Sequence, residues 1–156
     1  MATYYVKASG TSEDVPRIPR TFYVNAGAMT TDGLTPETGY HKVSDLQQNI
    51  TLIDDDVIAI VDNGVVDDAI IGEVIFRTSI TIVKYYGSAN IPTWKISSGE
   101  GVFFTSSGKI VHIYEIHFLS DSFGKVIFDS SLTIPDCEVS RCLFDNVQLY
   151  VHEILS

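Results

Sequence analysis

The sequence predicts an all-β fold in which short strands stack as successive coils of a solenoid behind an N-terminal cap. Val, Ile and Thr together supply 47 of the 156 residues, against 7 Ala and 8 Leu, a balance that favours pleated backbone over helix. After residue 50 the chain becomes a series of short apolar runs separated by Asp, Gly, Asn and Ser, a rhythm shared by sandwiches and solenoids. An internal repeat separates the two. When "IYEIHFLS" is laid over "VSRCLFDN" with Ile113 on Val139, the same offset puts Ile116 on Cys142 and Phe118 on Phe144. A looser and longer offset lays Ile80 and Val83 of "ITIVKY" on Ile113 and Ile116. Coils of unequal length fit a solenoid, whose repeats run roughly 20–50 residues.

Taken in order, residues 1–21 read as an arm and linker. "TYYVKASG" is strand-like, and "TSEDVPRIPR" carries two prolines that interrupt regular pairing. "TYYVKA", from Thr3 to Ala8, and "TFYVNA", from Thr21 to Ala26, repeat one pattern. Residues 22–156 read as one domain, with a cap over 22–50 and coils over 51–156. Phe22, Tyr23 and Val24 favour a strand, and "DGLTPE" supplies turn chemistry through Asp32-Gly33 and Pro36. Val43, Leu46 and Ile50 fall at spacings of three and four, one face of a helix of about two turns. So short a helix is marginal alone, because nucleation is costly, and it needs an apolar surface to rest on. The runs that follow are "DVIAIV", "AIIGEVIF", "SITIVKYY", "TWKIS", "GVFFTS", "KIVHIYEIHFL", "GKVIF", "SLTI", "CEVSRCLF" and "VQLYVHEIL".

These residues resemble the right-handed parallel β-helix proteins of the pectate-lyase-like superfamily. "FYVNAGAMTTDGLTPETGYHKVSDL" is similar to the N-terminal signature of many of them: an aromatic strand, a "DGLTPET" turn, then a capping helix. "DDDVIAIVDNGVVDDAIIGEVIFRTSITIVKYYG" looks like their first full coil, and "IYEIHFLS" and "CEVSRCLFDN" like later coils ending in a polar turn. The resemblance implies that the short helix covers the apolar end of the first coil and shields its strand edge. The chain reaches "VQLYVHEILS" while still reading as strand, and Tyr150 and Ile154 flank no recognisable capping helix. An uncovered last coil exposes an apolar layer and a free edge, which points to cover from an assembly or from a longer chain. Met1 and the arm fit the assembly.

Charge and motifs narrow the function. A net charge of −10 argues against nucleic acid and anionic membrane surfaces as partners, since phosphate binding needs clustered Lys and Arg. No apolar stretch has the length of a membrane span, and "MATYYVKASG" lacks a secretory n-region and apolar core. Cys137 and Cys142 have neither CxxC spacing nor a zinc-spaced His set, so they read as free thiols in a coil interior.

The densest acidic stretch, residues 53–73, holds seven of the twenty acids and no Lys or Arg. The family's lyases hold calcium between carboxylates, which makes Asp62, Asp67 and Asp68 candidate ligands. No acidic pair on a later coil stands beside Arg77, Lys84 or Arg141, and a charge run ordinarily lies solvated. Glycosidase chemistry needs two carboxylates on one face, roughly 5–10 Å apart. Asp62, Asp67, Asp68, Glu115 and Asp136 offer no spacing that singles out such a pair. His41, His112, His117 and His152 form no catalytic motif and read as surface or turn residues. No catalytic residue and no cofactor is implied. "KYYGSANIPTW" places Tyr85, Tyr86 and Trp94 in or near one loop, a composition suited to contact with a protein or a surface glycan.

The expectation is a non-enzymatic structural or adhesive module that assembles with its own copies, as a trimer, or docks on a larger particle. Among proteins of this resemblance, phage tail spikes, fibres and decorations fit a small acidic chain, which implies a virion or extracellular surface. The alternative is a polysaccharide lyase or glycoside hydrolase, or a fragment of one.

Overall fold

The computed structural model describes residues 18–99, 101–105, 109–129 and 137–151. Residues 3–8, the first half of the repeat with 21–26, most of the arm and the run "SLTI" lie outside them. The described chain is mostly β and winds as a solenoid of about three turns, its strands paired in parallel.

One face of the solenoid is a five-stranded sheet, ordered β1 (Thr21–Val24), β2 (Asp56–Ile60), β5 (Ile80–Lys84), β8 (Val111–Tyr114) and β10 (Cys137–Ser140). The other sheet is built from β3 (Val66–Asp67), β4 (Val74–Phe76), β6 (Thr93–Lys95), β7 (Val102–Phe104), β9 (His117–Phe128) and β11 (Leu143–Val151). Each coil contributes one strand to the first sheet and then two short segments to the second. In the third coil those two segments fuse: the start of β9 pairs with β6 and its end with β7. β11 then follows β9 along both segments, with a register shift between Asp145 and Val147. This continuity explains why the end of "KIVHIYEIHFL" and the run "GKVIF", separate in sequence, share one strand, while the earlier part of the first run forms β8. By contrast, "AIIGEVIF" divides, with Ala69, Ile70 and Ile71 forming a turn before β4.

Parallel stacking places like on like. Alternate strand positions point inward, so one column runs Phe22, Ile58, Ile82, Ile113 and Val139 through successive strands. On the second sheet Val66, Trp94, Phe118 and Phe144 form another column. Phe76, Phe104 and Phe128 form a third, with ring centroids 5.1 and 5.0 Å apart and planes within 14° of parallel. These columns are the core, and the hydrophobic effect acting along them is what holds coil to coil.

The closer repeat is the observed register: Cys137 pairs with Val111 and Val139 with Ile113. The looser echo is corrected. Ile80 pairs with Val111 instead of Ile113, and the partner of Ile113 is Ile82. A slip by one full pleat keeps every side chain on its own face, so apolar alternation does not distinguish the two registers. Glu115 and Arg141, at the same corner of successive coils, have φ of 56° and 55°, so the repeat extends to left-handed corner geometry that non-glycine residues seldom adopt. Gly101, at φ +70°, could carry no side chain, since a Cβ there would run into the Lys125 carbonyl of the next coil.

At the head, the outer edge of β1 is occupied by the loop of residues 33–40. Tyr23 N–H donates to the Gly33 carbonyl at 2.8 Å, and Tyr40 N–H donates to the Tyr23 carbonyl at 3.0 Å. A helix, α1 (Val43–Asn49), buries Val43, Ser44 and Leu46, and its Gln47 side chain donates to the Ile75 carbonyl of β4 at 2.9 Å. Arg20 completes this end with a bidentate pair to Asp56, at 2.9 and 2.7 Å. The buried Asp56 carboxylate holds the Arg20 guanidinium pKa above its usual value, chiefly by hydrogen bonding.

Candidate functional site

The acidic stretch divides by depth. Asp62 and Asp55 are exposed, whereas Asp56 and Asp68 are enclosed. The reading of solvated turn acids therefore fails for these two. Asp68 is 0% exposed and its carboxylate accepts from four donors. These are Val43 N–H at 3.2 Å, Ser44 N–H at 3.3 Å, Ser44 Oγ at 2.6 Å and Trp94 Nε1 at 2.8 Å. A buried carboxylate is tolerated when donors replace its lost water, and here it also terminates the N-terminal end of α1, where free N–H groups and the helix dipole favour negative charge. Asp68 thus fastens the helix to the first coil and to the tryptophan of the second. Asp67 Oδ1 turns back onto the Ala69 N–H at 3.0 Å.

Asp67 and Asp68 accept from different donors and Asp62 is exposed, and the described residues hold no group of three or more His, Cys, Asp or Glu suited to a metal ion. Glu115 pairs with Lys84 at 3.5 Å and Arg141 at 3.7 Å, and Asp136 lies outside the described residues. His41 Nε2 contacts the Ala28 carbonyl, and His117 Nδ1 contacts Thr93 Oγ1. His152 also lies outside the described residues. An open cleft beside α1 is lined by Gln47, Leu52, Phe76, Arg77 and Thr78. Its lining includes one cation and no carboxylate, so acid–base chemistry by a carboxylate pair has no seat there.

The aromatics also separate. Trp94 is 0% exposed, its indole lying 5.5 Å from the Phe118 ring, so it belongs to the core column and offers no outer surface. Tyr85 and Tyr86 stay together, with ring centroids 4.8 Å apart and planes at 53°. Tyr86 is 88% exposed. Their third member is Tyr23, whose ring meets Tyr85 edge-on at 5.9 Å and 82°. Sequence reasoning passes over Tyr23 because it belongs to the first strand, far upstream of Tyr85; parallel stacking of β1, β2 and β5 brings the two together. Tyr85 is held from below as well: a Cβ on Gly87 would strike its ring. Its phenol pKa is pushed up by the hydrogen bond to Tyr86, then by burial and by the nearby charge of Glu37.

The tail is the other exposed feature. Phe144 stacks on Phe118 at 5.5 Å and 14° and is still 36% exposed, while Leu143, Leu149 and Tyr150 are exposed too. Val139, Cys142 and Val147 pack on the core from one side and are partly buried. Cys137 and Cys142 are half-buried rather than interior, and burial pushes the Cys142 thiol pKa up.

No protein-family model matches the chain, and no curated protein or solved structure matches it. Among the described residues no helix is long and apolar enough to cross a membrane.

Proposed function

We propose that the chain is a non-enzymatic structural module, a right-handed parallel β-helix that assembles with its own copies or docks on a larger particle through its last rung. The observation that carries this reading is the tail: among the described residues the columns reach Phe144 and Val139 with stacked neighbours on one side, and Phe144 remains 36% exposed. An exposed apolar layer above an unpaired strand edge favours further strands. The right-handed sense follows from the strong preference of parallel crossovers. The head supports a single direction of growth, because α1 and the loop of residues 33–40 already engage the first coil; we assign them the role of a cap, with 22–50 as cap and 51–156 as coils. The burial of Asp68 against α1 and Trp94 and the pairing of Glu115 with Lys84 and Arg141 support a structural use of these acids. Placement on a virion or extracellular surface rests on the resemblance to phage β-helix proteins.

Light scattering across a hundredfold range of concentration tests this. The full chain is expected as an oligomer, and Phe144→Asp, whose side chain is already partly exposed, is expected to return it to a monomer with unchanged circular dichroism. A wild-type chain that stays monomeric throughout overturns assembly with its own copies and leaves docking on a larger particle as the use of the last rung.

A further inference from the structure

The tyrosine cluster stands away from the tail and has no part in the assembly just proposed. Three rings, Tyr23, Tyr85 and Tyr86, meet at 82° and 53°, so their faces turn in different directions instead of forming one flat plate. Two are fixed in place. Tyr23 projects from β1, and Tyr85 is wedged between Tyr23 and the backbone of Gly87. Ala59, on the outward face of β2 and paired with Tyr23, is 5% exposed beneath them. Tyr86 alone stands open to solvent.

The surroundings are electronegative. Glu37 belongs to the short turn Pro36–Thr38, which lies against β1, where Asn25 Nδ2 donates to the Pro36 carbonyl at 2.7 Å. The Glu37 carboxylate is exposed, and its charge acts on the Tyr85 phenol. The nearest basic residue in sequence, Lys84, is committed to Glu115, and the whole chain carries a net charge of −10. Ring faces are negative through their quadrupoles, and a cation over a tyrosine face is attracted electrostatically. The Glu37 carboxylate adds to that attraction and repels anions.

We propose that the Tyr23–Tyr85–Tyr86 cluster, with the charge of Glu37 acting on it, is a docking point for a cationic side chain, lysine or arginine, presented by a protein partner. The flat faces contact the alkyl or guanidinium portion, and Glu37 sets the sign of the charge that is accepted. Preorganisation of Tyr23 and Tyr85 lowers the ordering cost on binding, leaving Tyr86 to close.

The test uses the full chain, with tyrosine ring signals followed by NMR during titration with tetramethylammonium. The neutral, similarly branched neopentyl alcohol, acetyl-arginine amide and methyl glucoside are run in parallel. Saturable shifts confined to Tyr23, Tyr85 and Tyr86 are expected for the two cations. Tyr86→Phe should retain them and Tyr86→Ala abolish them. Glu37→Gln should weaken binding about two- to fivefold, the range for an exposed charge pair. Equal binding of neopentyl alcohol reduces the cluster to an apolar patch, preferential binding of methyl glucoside makes it a sugar platform, and absence of any shift makes it packing over Ala59. Each of those three results overturns the proposal. The outcome is independent of oligomeric state.

Discussion

Phe118 and Phe144 occupy one column of the solenoid a single coil apart, with rings 5.5 Å apart and 14° from parallel. Phe118 lies between Trp94 and Phe144 and is 0% exposed, whereas Phe144 has a neighbour on one side and is 36% exposed. Residue type and column are shared, on the neighbouring strands β9 and β11; what differs is that, among the described residues, Phe118 has a stacked ring on both sides and Phe144 on one. In a stacked fold the stabilisation of a rung is therefore decided by what covers it more than by its own composition, as nearest-neighbour energetics require.

The largest expected effect breaks this pairing at the interior. Phe118→Ala should cost about 3–5 kcal/mol, because it opens a cavity between two rings that do not close on it. Phe144→Ala, on the open face, should cost roughly 1–1.5 kcal/mol at low protein concentration, about half of full side-chain burial. Urea unfolding of both variants checks the difference, and equal losses would mean that the last rung is covered as fully as the interior. If the tail is an assembly surface, the loss for Phe144→Ala should grow with protein concentration, while that for Phe118→Ala should not.

The head is the contrasting case, since α1 and the loop of residues 33–40 engage β1 and the first coil. Removing the carboxylate of Asp68 strands the Val43 and Ser44 N–H groups and the Trp94 indole in the interior. Asp68→Ala is expected to cost about 2–3 kcal/mol, the scale of buried donors left unsatisfied. Hydrogen exchange sharpens the assignment: the amides of Val43 and Ser44 should lose protection together with Trp94 Nε1–H, while β10 and β11 keep theirs. A uniform loss across all coils would show instead that the solenoid unfolds as one unit, with no separable head.

How far this is readable in sequence follows from the same stacking. Columns of like residues appear as a repeat, so Ile113, Ile116 and Phe118 against Val139, Cys142 and Phe144 yield the register of the last two coils. Between the second and third coils the repeat is off by one full pleat, because period-two alternation is blind to such a slip and the loops between strands differ in length. The helix at Val43 is visible from its apolar spacing. Trp94 looks like a loop aromatic beside Tyr85 and Tyr86, although "TWKI" alternates in strand fashion and places Trp94 with Ile96 inward. Asp68 and Tyr23 are not legible, since each acquires its role from partners one or two coils away: Trp94 for the first, Tyr85 for the second. Local patterns encode columns, whereas contacts between columns and caps depend on loop lengths that carry no periodic mark.

The smallest expected effect probes the turn that fills the edge of β1. Asp32 Oδ1 accepts from Thr38 Oγ1 at 2.5 Å and from the Leu34 N–H at 2.9 Å, and these bonds, the Thr38 hydroxyl foremost, hold its pKa below the usual carboxylate value of 3.8. A carboxyl whose pKa is lower folded than unfolded binds a proton more readily when unfolded. Its contribution to stability is therefore fully present above about pH 4 and disappears as pH falls through the lowered folded value. Asp32→Asn should flatten that acid limb of the stability profile without altering the neutral plateau by more than a fraction of the Asp68→Ala loss, since the side chain is fully solvated and screened. NMR titration of the Asp32 carboxyl beside urea midpoints at pH 3 and pH 6 tests this. A midpoint change of equal size at both pH values would show that the turn holds the β1 edge through its backbone bonds, from Gly33 and Tyr40 to Tyr23, with no help from the charge.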